Sequence, residues 1–240
     1  MDEVLWRVDG DLEPAAVRER PNRFVLVVDR GDGLERAHLS NPGELAGLVT
    51  PDETVYCRPV DDADRGTDLD VVGAEADDTL VYLPSAHANR AFEQIVERDL
   101  VDRFSEYATA AREPSVGDGS RLDFRLRHER DGTPVAVEVK SATHAAEGVG
   151  KFPDRPTERG RRPPRHLIDR VDDGGDAMLV FVVPRADVTE LRPLREVDPG
   201  FADLLAEARD VGVDLHAVRL AFTGTAVRLD APSIPVRIGD

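Results

Sequence analysis

The chain has 240 residues, enough for one large domain or two small ones with a buried core. No stretch reaches the roughly 18 consecutive apolar residues of a membrane span, and the first residues lack the basic and apolar regions of a secretory signal. Cys57 is the only cysteine, which excludes internal disulfides and zinc sites that need a cysteine pair. We therefore expect a cytoplasmic protein without a membrane partner.

Acidic residues dominate the composition: 48 acidic residues stand against 31 basic ones, a formal net charge of -17. Lys140 and Lys151 are the only lysines, and every other basic residue is an arginine. Such an excess of carboxylates is typical of a halophilic protein in a concentrated-salt cytoplasm, where carboxylates hold hydration. Because a chain of this charge repels nucleic acid at long range, any such partner must meet a local basic patch.

The first third of the chain predicts short strands separated by turns. Turn-forming runs occupy residues 29–33 and 41–43. Several short strands in succession indicate a small β-barrel or sandwich. The predicted strands are residues 23–28, 36–39, 54–60 and 79–83.

After Pro84 the pattern changes to alternating helices and strands. Residues 88–100 carry Phe92, Ile95 and Val96 at helical spacing, and Asp198 precedes a second helix that stops at Gly212. The order of helices and strands predicts an α/β domain. The predicted strands here are residues 121–127, 134–141, 177–183 and 213–222.

One predicted hairpin carries a polar face. Asp131 and Gly132 form a two-residue turn signal, and that turn would place Asp123 opposite Lys140 with Glu138 on the diagonal. Diagonal neighbours on one face lie about 7–8 Å apart, which lets two carboxylates share a metal ion. Alternation would put Leu122, Phe124, Leu126, Val135, Val137 and Val139 on the apolar face and Arg121, Asp123, Arg125, Glu138 and Lys140 on the other.

This polar face suits phosphodiester hydrolysis. Asp123 and Glu138 would bind Mg²⁺, which neutralises phosphate charge and acidifies a water, while Lys140 would orient that water. The carbonyl of Val139 and a carboxylate of Glu93 could complete the metal shell. The alternative is a solvated strand face with an ion pair. A lysine kept in an arginine-rich chain favours a role that the planar guanidinium cannot fill.

Residues 151–170 are basic in an otherwise acidic chain, and arginine binds phosphate through two hydrogen bonds. The segment is therefore a candidate for contact with nucleic acid; the alternative is a loop paired with neighbouring acids. The candidates are Lys151, Arg159, Arg161, Arg162 and Arg165, together with Arg121 on the hairpin.

Several of these stretches, in this order, resemble the sugar fermentation stimulation protein A family from about residue 20 onwards. They are Ser120-Arg121-Leu122-Asp123-Phe124, Glu138-Val139-Lys140-Ser141-Ala142-Thr143, Phe152-Pro153-Asp154 and Thr157-Glu158-Arg159-Gly160, with weaker matches at Asn41-Pro42-Gly43 and Ala88-Asn89-Arg90. The resemblance implies an α+β/α/β chain: an N-terminal OB-like β-barrel (residues 1–85) followed by a PD-(D/E)xK nuclease-like α/β domain (residues 86–240). It also implies DNA binding and a link to the control of sugar utilisation genes.

The resemblance assigns the nuclease-type metal site, with Mg²⁺ or Mn²⁺, to Asp123, Glu138 and Lys140. A helix glutamate completes that pattern; Glu93 is the candidate and Glu113 its rival. The chain departs from the family at Glu44, where arginine is usual, and at His144, where an apolar residue is usual. An apparent insertion of Pro163-Pro164-Arg165 would break the start of a basic helix.

Three hypotheses follow. The first is a DNA-binding protein with a Mg²⁺-dependent endonuclease-like site, and the second is a non-catalytic DNA-binding regulator. The third is an enzyme directed at RNA, because OB-like barrels bind single strands of either kind. The sequence leaves the oligomeric state open, a homodimer included.

Overall fold

A computed structural model describes residues 3–61, 64–76, 78–115 and 121–239, and it leaves the side chain of Arg159 undescribed. The helices are α1 (His87–Glu97), α2 (Glu158–Asp172) and α3 (Pro199–Val211), with a 3-10 turn at Asp102–Phe104. The strands up to α1 are β1 (Glu3–Arg7), β2 (Glu13–Asn22), β3 (Val25–Asp29), β4 (Leu34–Leu39), β5 (Thr54–Pro59), β6 (Leu69–Ala76) and β7 (Thr79–Tyr82). The later strands are β8 (Tyr107–Arg112), β9 (Phe124–His128), β10 (Pro134–Ser141), β11 (Ala145–Ala146), β12 (Val149–Phe152), β13 (Asp176–Val183), β14 (Glu190–Pro193), β15 (Asp214–Phe222) and β16 (Ala226–Ala231).

Strands β2 to β6 close into a barrel. β2 pairs with β3 and β5, β4 pairs with β3, and a parallel pairing between β4 and β6 completes the ring. Alternate side chains point inward, so Val17, Leu26 and Val55 fill the interior and are fully buried. The predicted OB-like barrel is confirmed.

The second half forms a sheet that, in the described residues, runs in the order β1-β16-β15-β13-β10-β9-β8. Its centre is parallel, because β10, β13 and β15 pair in the same direction. Helix α1 covers one face through Phe92 and Ile95, while α2 and α3 cover the other through Leu167 and Phe201. The predicted α/β domain is confirmed.

Strand β1 crosses the predicted domain division. It precedes the barrel in sequence but pairs antiparallel with β16, at the edge of the C-terminal sheet. Leu5 and Trp6 are buried in the same core as Phe92 of α1. The expectation that residues 1–85 make only the barrel is therefore wrong for this strand.

The hairpin between β9 and β10 is longer than predicted. Its connection spans four residues: the amide of His128 donates to the carbonyl of Thr133, at 2.9 Å, and that of Gly132 to the carbonyl of His128, at 2.8 Å. Phe124 consequently pairs with Val137, two residues away from the predicted register. Extending the observed ladder puts Asp123 opposite Glu138 rather than Lys140.

A shift of two residues leaves alternating side chains on their predicted faces. Phe124 accordingly packs in the same core as Val135 and Val137. Leu122 is the exception, because β9 begins only at Phe124 and Leu122 packs instead with Ala136 on the opposite face of the sheet.

Helix α2 is continuous, so the expected break at Pro163 and Pro164 is wrong. The helix starts at Thr157, whose hydroxyl accepts a hydrogen bond from the amide of Gly160 at 2.9 Å. Leu167 and Ile168, both buried, hold its second half against the sheet. Packing of this apolar face compensates for the amide hydrogen bonds that the prolines remove.

Within the described ranges, no helix is long and apolar enough to cross a membrane.

Gly73 lies where the barrel touches the C-terminal sheet. A Cβ at this position would lie 2.6 Å from Cε1 of Phe222 in β15, whereas a Cβ at Gly66 would meet nothing within 4 Å. We expect Gly73→Ala to lower the free energy of unfolding by about 1–3 kcal/mol, because the ring must shift. Gly66→Ala should change it by less than about 0.5 kcal/mol. Denaturant unfolding of both variants checks this, and equal losses would contradict the contact.

Candidate active site

Asp123 lies where the pairing between β9 and β10 ends. Its Oδ2 accepts a hydrogen bond from the backbone amide of Val139 at 2.8 Å, and its Oδ1 accepts one from Nδ2 of Asn89 in α1, also at 2.8 Å. The Asp123 side chain thus supplies a hydrogen-bond acceptor to β10 beyond the last residue pair between β9 and β10. Each oxygen keeps a further lone pair, so the carboxylate is held in place without being saturated.

Glu138 is the most constrained group of the site. The residue is 5% exposed, its Oε1 binds Nζ of Lys140, and its Oε2 is buried without a hydrogen-bond partner among the described residues. Burial raises the pKa of Glu138 to about 7; Asp123 raises it further, and Lys140 opposes the shift. A buried bare carboxylate oxygen is costly, so this oxygen fits a proton or a bound cation.

Lys140 lines a cleft of about 340 Å³ between the barrel and the α/β domain. On the C-terminal side, Asn89, His144 and Lys151 also line the cleft. On the barrel side, the turn at Asn41 lines it. Asp123 and Glu138 are connected to this cleft by hydrogen bonds to two of its lining residues. Asp123 binds Asn89, and Glu138 binds Lys140.

The Asn-Pro-Gly turn of the barrel lies against the C-terminal half beside this cleft. The side chain of Asn41 donates to the carbonyl of Leu83 at 2.7 Å and accepts from the amide of Gly43 at 2.9 Å. A Cβ at Gly43 would lie 2.6 Å from Oδ2 of Asp154, the same oxygen that accepts from the amide of Leu45 at 3.3 Å. Glycine is needed here because the Asp154 side chain approaches the backbone so closely.

Neither predicted helix glutamate joins Asp123 and Glu138. Glu93 pairs with Arg112 at 3.1 Å, and Glu113 is exposed and pairs with Arg121 at 3.3 Å. In the part of the chain that the structure describes, no group of three or more His, Cys, Asp or Glu residues is placed to hold a metal. The role of Glu93 or Glu113 as a third acid therefore stays a prediction.

Asn89 occupies the helix position next to the site, one turn before Glu93. Residues four apart lie on the same face of a helix, so Asn89 and the predicted ligand Glu93 share one face of α1. The only sequence signal for Asn89 is the Ala88-Asn89-Arg90 match. Metal binding by the carbonyl of Val139 remains a prediction, since the observed contact of Val139 is through its amide.

The basic segment is only partly available for a partner. Arg161 binds the buried carboxylate of Asp198, the N-cap of α3, at 2.7 and 3.0 Å, and it also pairs with Glu158. Arg161 therefore links α2 to α3, and its predicted contact with nucleic acid stays a prediction. Arg162 and Arg165 are exposed, and Arg165 makes a 3.5 Å pair with Glu158. The side chain of Arg159 lies outside the described residues.

Comparison with known proteins identifies two successive regions of the chain. The family described as "Sugar fermentation stimulation protein RE domain" matches residues 86–226, and "SfsA N-terminal OB domain" matches residues 19–83. The chain belongs to the sugar fermentation stimulation protein family.

Relatives of this family match along nearly the whole chain. The homologue from Moorella thermoacetica is 37% identical over 230 residues, which are 95% of this chain and 98% of the relative. The homologue from Chloroflexus aurantiacus is 33% identical and covers 94% and 85% respectively. The solved structure of Pyrococcus furiosus SfsA, a complex with Ca²⁺, has a TM-score of 0.87 and 31% identity, covering 98% of this chain and 99% of that one.

The raised pKa of Glu138 predicts a pH-dependent stability in the presence of a chelator. Its folded pKa of about 7 exceeds the ordinary 4.5, so the stabilisation from its proton is complete below 4.5 and lost as the pH rises through 7. Glu138→Gln mimics the protonated form. Wild type and variant should differ least in free energy of unfolding near pH 4. Near pH 8 (about one unit above the folded pKa) the wild type should lose a few kcal/mol relative to the variant. Denaturant unfolding at both values measures this, and a pH-independent difference would contradict it.

Proposed function

We propose that this member of the family is a divalent-metal-dependent phosphodiesterase that acts on nucleic acid, DNA in the first instance. The observation that carries the proposal is the buried Glu138 carboxylate beside Asp123, with Oε2 unpartnered in the described residues and Oε1 on Lys140. A surface ion pair would leave no such oxygen buried. The arrangement therefore favours chemistry over a solvated strand face.

The two carboxylates fit a hard divalent cation. Mg²⁺ commonly binds through only one or two protein carboxylates and keeps water or substrate phosphate oxygens as its other ligands, so a third acid is not required. Bound between Asp123 and Glu138, such an ion would supply charge neutralisation at the phosphate and a more acidic water. The Ca²⁺ complex of Pyrococcus furiosus SfsA supports a divalent-cation site in this family.

The protein's own groups divide the remaining tasks. Asn89 and the amide of Val139 fix the Asp123 carboxylate from two sides, so its orientation precedes substrate binding. Lys140 places an ammonium group at the cleft wall, where it can donate to the attacking water or to a phosphate oxygen as negative charge develops.

Substrate contacts are proposed for the basic groups near this cleft. Lys151 lines the cleft itself, and Arg162 and Arg165 lie exposed on α2. Arg121 is exposed next to Asp123, although it pairs with Glu113. Cations in such positions fix the phosphate backbone without reading sequence.

A second candidate is a DNA-binding regulator that lacks turnover. The pairing of Glu93 with Arg112 favours it, because that ion pair already engages the acid of α1 that the nuclease pattern would use as a metal ligand. This candidate predicts DNA binding that Mg²⁺ and Mn²⁺ leave unchanged.

The test is hydrolysis of labelled DNA and RNA by the purified protein with Mg²⁺ or Mn²⁺, in a salt series. We expect cleavage by the wild type. Asp123→Asn should lower the rate by roughly a hundredfold or more, and Lys140→Ala should lower it similarly. Calorimetric titration should show that Mn²⁺ binding is lost with Asp123→Asn but kept with Lys140→Ala.

Glu129→Gln is the matched control, because Glu129 is an exposed acid in the hairpin loop between β9 and β10. It should leave both rate and Mn²⁺ affinity unchanged. Cleavage that survives in Asp123→Asn would place the activity elsewhere. DNA binding without any cleavage would favour the regulator.

A further inference from the structure

A larger cleft, of about 850 Å³, lies on another part of the junction between the barrel and the α/β domain. Its barrel side includes β3, β4, β5, β6 and the loop between β5 and β6, and Arg36 and Arg65 lie on this side. Its other side consists of β1 and α1, which contribute Arg7 and Arg90. We refer to it below as the basic cleft.

The charge of this cleft is opposite to that of the chain. Among its described lining residues, five arginines face two aspartates, although the chain has a net charge of -17. Asp70 pairs with both Arg58, at 3.2 Å, and Arg65, at 2.6 Å, so one acid is shared by two cations. A concave surface with uncompensated positive charge concentrates anions. The lining arginines are Arg7, Arg36, Arg58, Arg65 and Arg90, and the aspartates are Asp9 and Asp70.

Two of these arginines are held in position by uncharged groups, so these contacts do not neutralise their positive charge. Arg36 donates from Nε to the neutral carbonyl of Gly66 at 3.1 Å. The exposed Arg90 holds its guanidinium 4.9 Å from the ring centroid of buried Trp6, which in turn packs edge-on against Tyr82 at 5.9 Å. A guanidinium anchored on an aromatic ring keeps its charge and can offer its other side as a stacking surface for a base.

The barrel elements that line this cleft include those that OB barrels use for ligands. In that fold the face of the second and third strands, with the loop between the fourth and fifth, binds oligonucleotides. Counting from β2, the first strand of this barrel, these are β3, β4 and the loop between β5 and β6. We propose that the basic cleft binds a single-stranded segment of nucleic acid, with its arginines on phosphates and Arg90 stacked on a base.

The size of the cleft favours a single strand over a duplex. Its volume of about 850 Å³ lies in the range of small-molecule sites, roughly 300–1,000 Å³, so it takes one or two nucleotides with unpaired bases. Arg90 follows Asn89 directly on α1, and Asn89 holds Asp123. The basic cleft therefore adjoins the candidate active site, but its binding requires no metal and stands independently of catalysis.

The experiment measures fluorescence anisotropy of labelled oligothymidylate and oligouridylate, roughly 12 nucleotides long, with a chelator present. We expect saturable binding that weakens between about 50 and 200 mM KCl. Arg90→Ala should weaken it roughly tenfold through lost stacking. Arg36→Ala should reduce the slope of log affinity against log salt by about 0.7, the value for one phosphate contact.

Arg130→Ala is the matched control, because Arg130 is an exposed arginine on the hairpin loop and does not line the cleft. It should leave affinity and salt slope unchanged. Arg90→Ala also removes the packing of Arg90 on Trp6, so Arg36→Ala serves as a second variant that does not change this contact. The proposal is overturned if neither variant weakens binding more than Arg130→Ala does, if no single strand binds, or if a duplex of equal length competes better than the single strand. Since no metal is present, failure of hydrolysis leaves this result unaffected.

Discussion

The structure around the candidate active site depends on one buried carboxylate. Glu138 lies on β10, an interior strand of the sheet, and is 5% exposed. Its Oε1 binds Nζ of Lys140, while its Oε2 has no hydrogen-bond partner among the described residues. Replacing such a buried pair by apolar residues is often neutral or stabilising, so stability alone does not explain it. A bound cation would coordinate the unpartnered Oε2 of Glu138. It would also offset the repulsion between the Glu138 and Asp123 carboxylates. The raised pKa of Glu138 to about 7 and the proposed metal site are thus two consequences of the same burial.

The fold creates this burial through the ends of its strands. β10 pairs in parallel with β13 from Val135 to Ser141, but its antiparallel partner β9 begins only at Phe124. Beyond that point the amide of Val139 is taken by the side chain of Asp123, and α1 supplies Asn89 from the other side. The junction with the barrel then forms two clefts: one contains Lys140, and the other is lined by arginines.

Local patterns in the sequence predicted the elements better than their arrangement. The apolar run of β13 and the caps of α3 at Asp198 and Gly212 were sufficient for those elements. The hairpin register was wrong by two residues, because alternation has a period of two and cannot distinguish the two registers. Composition alone did not show that Arg161, a predicted nucleic-acid contact, also binds the buried carboxylate of Asp198. The basic cleft was missed because its arginines come from β1, β4, β5, α1 and a loop, and only the tertiary fold unites them.

The most direct test of the central claim is a crystal structure soaked in Mn²⁺, with the ion located by its anomalous scattering. We expect one Mn²⁺ within coordination distance, roughly 2 Å, of a carboxylate oxygen of Asp123 and of Oε2 of Glu138. Nζ of Lys140 should then lie close to a water or anion bound to that ion. Mn²⁺ bound elsewhere, with Glu138 still paired only to Lys140 at saturating metal, would contradict it.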